Sequence, residues 1–272
     1  MHAFKGSPDG AYPWAGVILA SDGNLYGTTL RGGQFSKGTV YRVSPSGGGY
    51  AIIHNFMGVV AGAPPDGATP YARLLEFTPG VMVGTTVSGG DSNLGTVYII
   101  AFGGAPYGII HTFVGFGDGA NPTAELILHT DQSTGQLLLY GTTYNGGSAG
   151  LGTVYHLDPT GGSYCIAYNF LGGPSDGANP WAAVLSGSTG LLYGTTFNGG
   201  AFGVGTIYSL IPVGACPYSE SVMYSFLGGF GPVPDGANPY AAVMQSFIDG
   251  NLYGTCYNDG FNFLGTIYQQ SP

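Results

Sequence analysis

Five aspartates, Asp9, Asp66, Asp118, Asp176 and Asp235, each open an Asp-Gly-Ala triplet, at intervals of 52 to 59 residues. Two kinds of chemistry suit a carboxylate placed ahead of a glycine. It can cap backbone N–H groups in an Asx-type turn, or it can offer oxygen to a hard cation such as calcium. A calcium loop gathers several oxygen ligands within a few residues, whereas each copy here supplies a single acid. The spacing therefore predicts structural caps, and no metal site is expected at them.

The irregular ionisable residues are few. Aligning the segments after each triplet places Gly16, Arg73, Glu125, Ala183 and Ala242 at one position. Arg73 and Glu125 thus fall in neighbouring copies, where a salt bridge beside a central channel is expected, and they are the only catalytic candidates. Glycoside hydrolysis needs an acid and a second carboxylate at a suitable distance. Glu76 is the obvious partner, and strand alternation places it on the face opposite to that of Glu125. No Ser-His-Asp order, phosphate-binding loop or zinc-ligand cluster is present, so an enzyme is disfavoured and no cofactor is expected. His2, His54 and His111 align with Tyr168 and Tyr224, which predicts packing rather than metal ligation. Cys165, Cys216 and Cys256 sit at different repeat positions without metal-like spacing, leaving one disulfide or three free thiols open.

The elements that carry these residues repeat with them. After Asp176-Gly-Ala-Asn-Pro180, short strands are predicted at Trp181 to Leu185, Leu191 to Phe197, Gly205 to Leu210 and Ser221 to Phe226, with Asn198-Gly199-Gly200 breaking the second. Four short strands between turns, with no helical period, make an antiparallel meander, and its radial repetition makes a propeller blade. The expected fold is all-β: one five-bladed propeller domain over residues 1–272, with repeat units 9–65, 66–117, 118–175, 176–234 and 235–272 plus 1–8. The last unit stops after its third strand, Gly265 to Gln269. His2-Ala3-Phe4 precedes Asp9 as His54-Asn55-Phe56 precedes Asp66, so the N-terminal strand is expected to complete the last blade and remove an open edge.

The succession Asp-Gly-Ala-Asn-Pro, Leu-Tyr-Gly-Thr-Thr-Tyr-Asn-Gly-Gly and Gly-Thr-Val-Tyr resembles the GloVer-type tandem repeat of bacterial secreted and surface propeller proteins. The resemblance covers essentially the whole chain. It implies an extracellular or cell-envelope β-propeller and carries no general activity. The chain departs from the pattern at Val83, where other units have Tyr, at Cys256 in place of the second Thr, and at Asp259 in place of the second Gly.

Charge narrows the partners. Only 5 residues are basic and 14 acidic, a formal net charge of −9, and all the basic residues lie within the first 73 positions. Nucleic acid is excluded, since its binding rests on clustered Lys and Arg. No apolar run is long enough to cross a bilayer, and no leader is read in the first residues. Recognition is expected in loops, where Trp14, Tyr71, Trp181 and Tyr240 follow the repeated Pro in four of five units and Thr123 stands in the fifth. With Asn145, Asn198 and Asn258 nearby, these flat rings suit sugars, whose C–H faces are apolar and whose hydroxyls need partners. The expectation is a lectin-like propeller binding a glycan or surface polymer. Packing of these rings between blades, a self-assembling fibre subunit and a glycoside hydrolase-like enzyme are the competing readings.

Overall fold

The Tyr-Gly-Thr-Thr and Gly-Thr-Val-Tyr segments pair with each other, and most of the architecture follows from that pairing. In the first copy Leu25–Thr29 runs antiparallel to Thr39–Val43, with Gly27 opposite Tyr41 and Thr29 opposite Thr39. The tyrosine ring lies flat over the glycine: a Cβ built on Gly84 would fall 2.5 Å from the Tyr98 hydroxyl oxygen, so no larger residue fits there. The paired threonines bond side chain to side chain at 2.8 Å in Thr29–Thr39, Thr86–Thr96, Thr143–Thr153 and Thr196–Thr206. The threonine before each of them points the other way, as strand alternation requires.

The computed structural model describes residues 2–131, 134–213, 216–230 and 235–272. Sheet 1 comprises Ile18–Leu19, Leu25–Thr29, Thr39–Val43 and Ala51–Asn55. Sheet 2 comprises Leu75–Thr78, Val81–Thr86, Thr96–Ala101 and Tyr107–Thr112. Sheet 3 comprises Ile127–Thr130, Leu137–Thr143, Thr153–Leu157 and Tyr164–Asn169. Sheet 4 comprises Leu185–Ser186, Leu192–Thr196, Thr206–Ile211 and Ser219–Ser225. Each is an antiparallel meander in chain order. Sheet 5 has Met244–Gln245, Leu252–Asn258 and Thr266–Gln270, and Ala237–Pro239 also pairs with its long strand. The fold is all-β and propeller-like, and among the described residues no helix is long and apolar enough to cross a membrane.

The chain divides into two compact units. One holds Met1–Val114, Ala120–Leu126 and Pro159–Gly161, and so sheets 1 and 2; the other holds the rest, with sheets 3, 4 and 5. In the first unit Tyr26, Phe56, Leu74, Met82 and Tyr98 form the buried layer. In the second, Tyr140, Phe170, Leu192 and Tyr208 form one layer and Tyr193, Ile207, Phe226 and Leu252 another. The fourth strand bulges opposite Val40/Tyr41, Val97/Tyr98, Val154/Tyr155 and Ile207/Tyr208 of the third, the same place in four sheets.

One expectation is corrected. The strand predicted at Trp181 to Leu185 is reduced to Leu185–Ser186, because the chain before it is held differently. Gly177–Ala178 pairs with Asn198–Gly199, Asn179 turns through φ 57°, and the Ala182 carbonyl accepts the Thr142 hydroxyl. His2 and Phe4 pack on sheet 1, His2 stacked 3.5 Å from the Tyr50 ring and Phe4 edge-on to Tyr41 at 5.1 Å.

Candidate functional site

The Asp-Gly-Ala loop and the X-Gly-Gly hairpin of one repeat are joined by a two-residue ladder. Gly10 faces Gly32, Gly67 faces Gly89, and Gly177 faces Gly199. These ladders put the two sets of loops on one face of each repeat. Space there is minimal, since a Cβ on Gly67 would lie 2.6 Å from the Thr86 methyl carbon. Asn121, Asn179 and Asn238 follow the triplets in the left-handed region at φ 55–57°, where Asn is favoured, and Thr69 and Tyr12 share that conformation.

The aspartates serve as the caps predicted. Asp66 is buried, and its two oxygens accept the N–H groups of Gly67 and Met57, both at 2.7 Å, and the Tyr107 hydroxyl. Asp176 accepts from Gly177 and Leu171, both at 2.6 Å, and from the Tyr168 hydroxyl at 3.1 Å. Asp235 accepts from Leu227, Gly228 and the Tyr224 hydroxyl. Asp9 takes Gly10, Lys5 and the Tyr50 hydroxyl, with His2 at 3.0 Å. Burial pushes the Asp66 carboxyl up, but the bonds from His54, Tyr107 and Met57 outweigh it and hold the group below the ordinary carboxylate value. His54 stacks on Tyr107 at 3.8 Å, and Tyr168 and Tyr224 occupy the same place with hydroxyls on the carboxylate. The packing role expected of the histidines therefore has a second part, contact with the capping Asp.

The aromatic candidates lie in two patches. In the first unit Trp14 is 64 % exposed and tilted 5.5 Å from Tyr71. In the second, Trp181 lies 4.7 Å from Tyr240, Tyr240 lies 6.1 Å from Tyr257, and Tyr144 meets Trp181 edge-on at 5.0 Å. Thr123, the exception in sequence, is buried. Asn198 and Asn258 donate their side-chain amides to the side-chain oxygens of Asn179 and Asn238 at 3.1 and 3.0 Å, and Asn145 is half-buried at the same hairpin position.

Arg73 Nε meets Glu125 at 2.8 Å, the salt bridge anticipated from alignment. Glu76 is committed elsewhere, accepting the Ser21 N–H and hydroxyl and the Gly80 N–H. Cys165 and Cys216 form a disulfide, which settles the open question of cysteine pairing. His156 Nε2 lies 3.0 Å from Cys216, but the two sulfurs are engaged with each other rather than free for a cation. Cys256 remains a buried thiol, pushed up to about 12 by burial.

Sequence reasoning missed Glu220. Tyr50, Tyr107 and Tyr164 each stand four residues before His54, His111 or Tyr168 and send a hydroxyl to the Asp of their own repeat; Glu220 stands four before Tyr224, in the same place. Burial, then the nearby Asp176, raise its carboxyl to about 7. The fixed spacing of the tyrosines was the available signal.

Comparisons with known proteins bear on the family and the fold. Residues 1–138 and 131–272 both match the Gloeobacter/Verrucomicrobia repeat. No curated protein matches the sequence. Among solved structures, a chain of a nidogen/laminin complex is similar with TM-score 0.51 at 15% identity, covering 95% of this chain and 78% of that one. An oligogalacturonate lyase in complex with manganese gives TM-score 0.55 at 13% identity, covering 94% and 64%. An oligogalacturonate lyase from Vibrio parahaemolyticus gives 0.54 at 12%, covering 97% and 66%. The chain spans about two thirds of the length of these lyases. At such identities the likeness concerns fold alone.

Proposed function

The chain belongs to the Gloeobacter/Verrucomicrobia repeat family, and we propose that it is a five-bladed binding propeller of the cell envelope or exterior that recognises glycans through its loop face. The observation that carries this reading is the exposed Trp14 ring tilted against Tyr71, repeated in kind by Trp181 and Tyr240. Rigid rings held by short ladders offer apolar platforms at little entropic cost, and adjacent amide groups supply partners for hydroxyls. Several such sites act together on a polymer even when each is weak. Four four-stranded meanders and a fifth sheet built on the same repeat support that reading. An internal disulfide and a surface with few charges suit an oxidising exterior. Hydrolysis is not favoured, because Glu125 is held by Arg73 and Glu76 is bonded to Ser21 and Gly80.

A panel of immobilised neutral glycans and bacterial surface polysaccharides tests the proposal. The intact chain is expected to bind at least one class, and a folded Trp14→Ala/Trp181→Ala variant to lose that binding at least about tenfold, equivalent to 1.4 kcal/mol. Binding that survives the double substitution unchanged, or no binding at all, overturns it.

A further inference from the structure

The third repeat differs from the others where its last two strands face each other. His156 on Thr153–Leu157 stands opposite Cys165 on Tyr164–Asn169, whereas the equivalent pairs are Arg42 and Ala51, Ile99 and Gly108, and Ser209 and Ser221. Directly opposed residues of an antiparallel pair have Cβ atoms about 4.5–5.5 Å apart, which sets an imidazole beside a sulfur. A third group arrives from the fourth repeat. The Tyr218 N–H donates to the Ala167 carbonyl at 2.7 Å, and this bond brings the nearby Cys216 onto the same strand. His156 Nε2, Cys165 Sγ and Cys216 Sγ consequently lie within 4.8 Å of one another. All three belong to the second compact unit.

The imidazole is under-used as a polar group. His156 is only 9 % exposed, its Nδ1 is buried without a hydrogen-bond partner among the described residues, and its Nε2 has one contact, the Cys216 sulfur at 3.0 Å. A sulfur in a disulfide has no proton to donate and is a weak acceptor, so this contact is a poor return for the ring's lost hydration. Tyr140 at 5.2 Å and Tyr218, stacked at 5.7 Å, fix the ring, and their hydroxyls bond each other at 3.1 Å. A nitrogen is thus held beside two sulfurs by packing and backbone pairing as well as by the S–S bond. Two thiolates and an imidazole suit a borderline-soft cation.

We propose that the third repeat carries a redox-gated zinc site, with His156 Nε2, Cys165 Sγ and Cys216 Sγ as ligands, water in the fourth position, and the disulfide as its closed state. A dithiol opens it by exchange: two electrons and two protons pass to the Cys165 and Cys216 sulfurs, the S–S bond breaks, and the dithiol becomes a disulfide. Zn2+ then displaces the two thiol protons to solvent and takes Nε2 as its third donor, with the ring proton on Nδ1. Bonds of about 2.0–2.3 Å place tetrahedral donors about 3.5–3.8 Å apart, a spacing that parted sulfurs reach by side-chain rotation. Two thiolates balance the charge of the ion, so the complex brings no net charge into a half-buried site. The occupant follows the redox setting, with zinc under reducing conditions and the disulfide under oxidising ones.

The proposal is independent of glycan recognition, and zinc binding reads it with no glycan present. The 272-residue chain is reduced with a phosphine and titrated with Zn2+ against a chromophoric chelator, with Co2+ as a spectroscopic probe. The reduced chain is expected to bind one Zn2+, and its Co2+ form to show thiolate-to-metal charge-transfer absorption. The disulfide-bonded chain should bind Zn2+ at least about a hundredfold more weakly, because the thiolate is the ligand. His156→Gln keeps both cysteines and should weaken zinc binding by the reduced chain at least about tenfold. Cys165→Ser, an independent variant, should lower the charge-transfer absorption, whereas Cys256→Thr, which restores the residue of the other four repeats, should leave zinc binding unchanged. Circular dichroism follows folding throughout; a reduced chain that loses its fold should regain it with zinc, since binding to a site formed only on folding adds to stability. No stoichiometric zinc binding by the reduced chain, equal binding by the disulfide-bonded chain, undiminished binding by folded His156→Gln, or a reduced chain that zinc fails to refold overturns the proposal.

Discussion

Glu220 lies beside Asp176 in the place where Tyr107 sends its hydroxyl to Asp66. A donor has been replaced by a second acid, and burial together with Asp176 raises Glu220 to about 7 against an ordinary value of 4.5. Because the folded value is the higher one, the folded state holds the proton more tightly than the unfolded state between these limits. Stability contributed by the protonated form is therefore complete below pH 4.5 and is lost as pH rises to about 7. Glu220→Tyr restores the repeated donor and is expected to stabilise by roughly 1–2 kcal/mol at pH 8, after allowance for partial solvent exposure, and by clearly less at pH 4.5. Urea unfolding at the two pH values measures the difference; an equal effect at both would show that the two carboxyls are not coupled.

Asp66 behaves in the opposite sense. Its folded value is lowered, so its contribution is present above the ordinary carboxylate range and is lost as pH falls through the folded value. Asp66→Ala leaves two buried N–H groups and the Tyr107 hydroxyl without their acceptor, at a cost of about 2–4 kcal/mol. Chemical denaturation at pH 7 reads this cost, and addition of calcium should not alter the melting temperature of the unsubstituted chain if the carboxylate acts as a cap.

Thr69 sits at φ 59° where three other repeats place Asn. Those asparagines also donate their side-chain amides to a carbonyl of the preceding repeat, as Asn179 does to Tyr144 at 2.9 Å. Thr69→Asn removes left-handed strain and adds that bond to the Leu30 carbonyl, so a gain of about 1 kcal/mol is expected from thermal unfolding. A loss would show that the threonine makes a contact of equal worth.

Tyr98, Tyr208 and Tyr268 bury hydroxyls that have no hydrogen-bond partner among the described residues. Burial raises all three hydroxyls above the ordinary tyrosine value. Tyr98→Phe keeps the ring over Gly84 and removes an unpartnered polar group, so stability should stay level or rise by up to about 1 kcal/mol. A marked loss in urea unfolding would contradict the assignment of the ring, rather than the hydroxyl, as the structural part.

Much of this was legible from spacing alone. The recurrence of Tyr-Gly-Thr-Thr ahead of Gly-Thr-Val-Tyr identified two strands, and their register explains why glycine faces tyrosine and threonine faces threonine. Alignment of Arg73 with Glu125 anticipated their ion pair. The strand after Pro180 was overestimated because an apolar run between Pro and Leu reads as a ladder, while its backbone bonds go to loops and side chains. Cys165 and Cys216 are 51 positions apart, and no local pattern connects them. Glu220 was overlooked because a single acid in a strand carries no motif; only its register against the three tyrosines reveals it.

The chain contains two tryptophans, Trp14 and Trp181, both on the loop face assigned to glycan recognition. Their fluorescence during titration with a glycan that the chain binds is therefore the most direct test of that assignment. A saturable change in emission, with the same midpoint as binding and reduced in Trp181→Phe, is the result predicted. Binding that saturates while the emission of both tryptophans stays unchanged would place recognition elsewhere on the molecule.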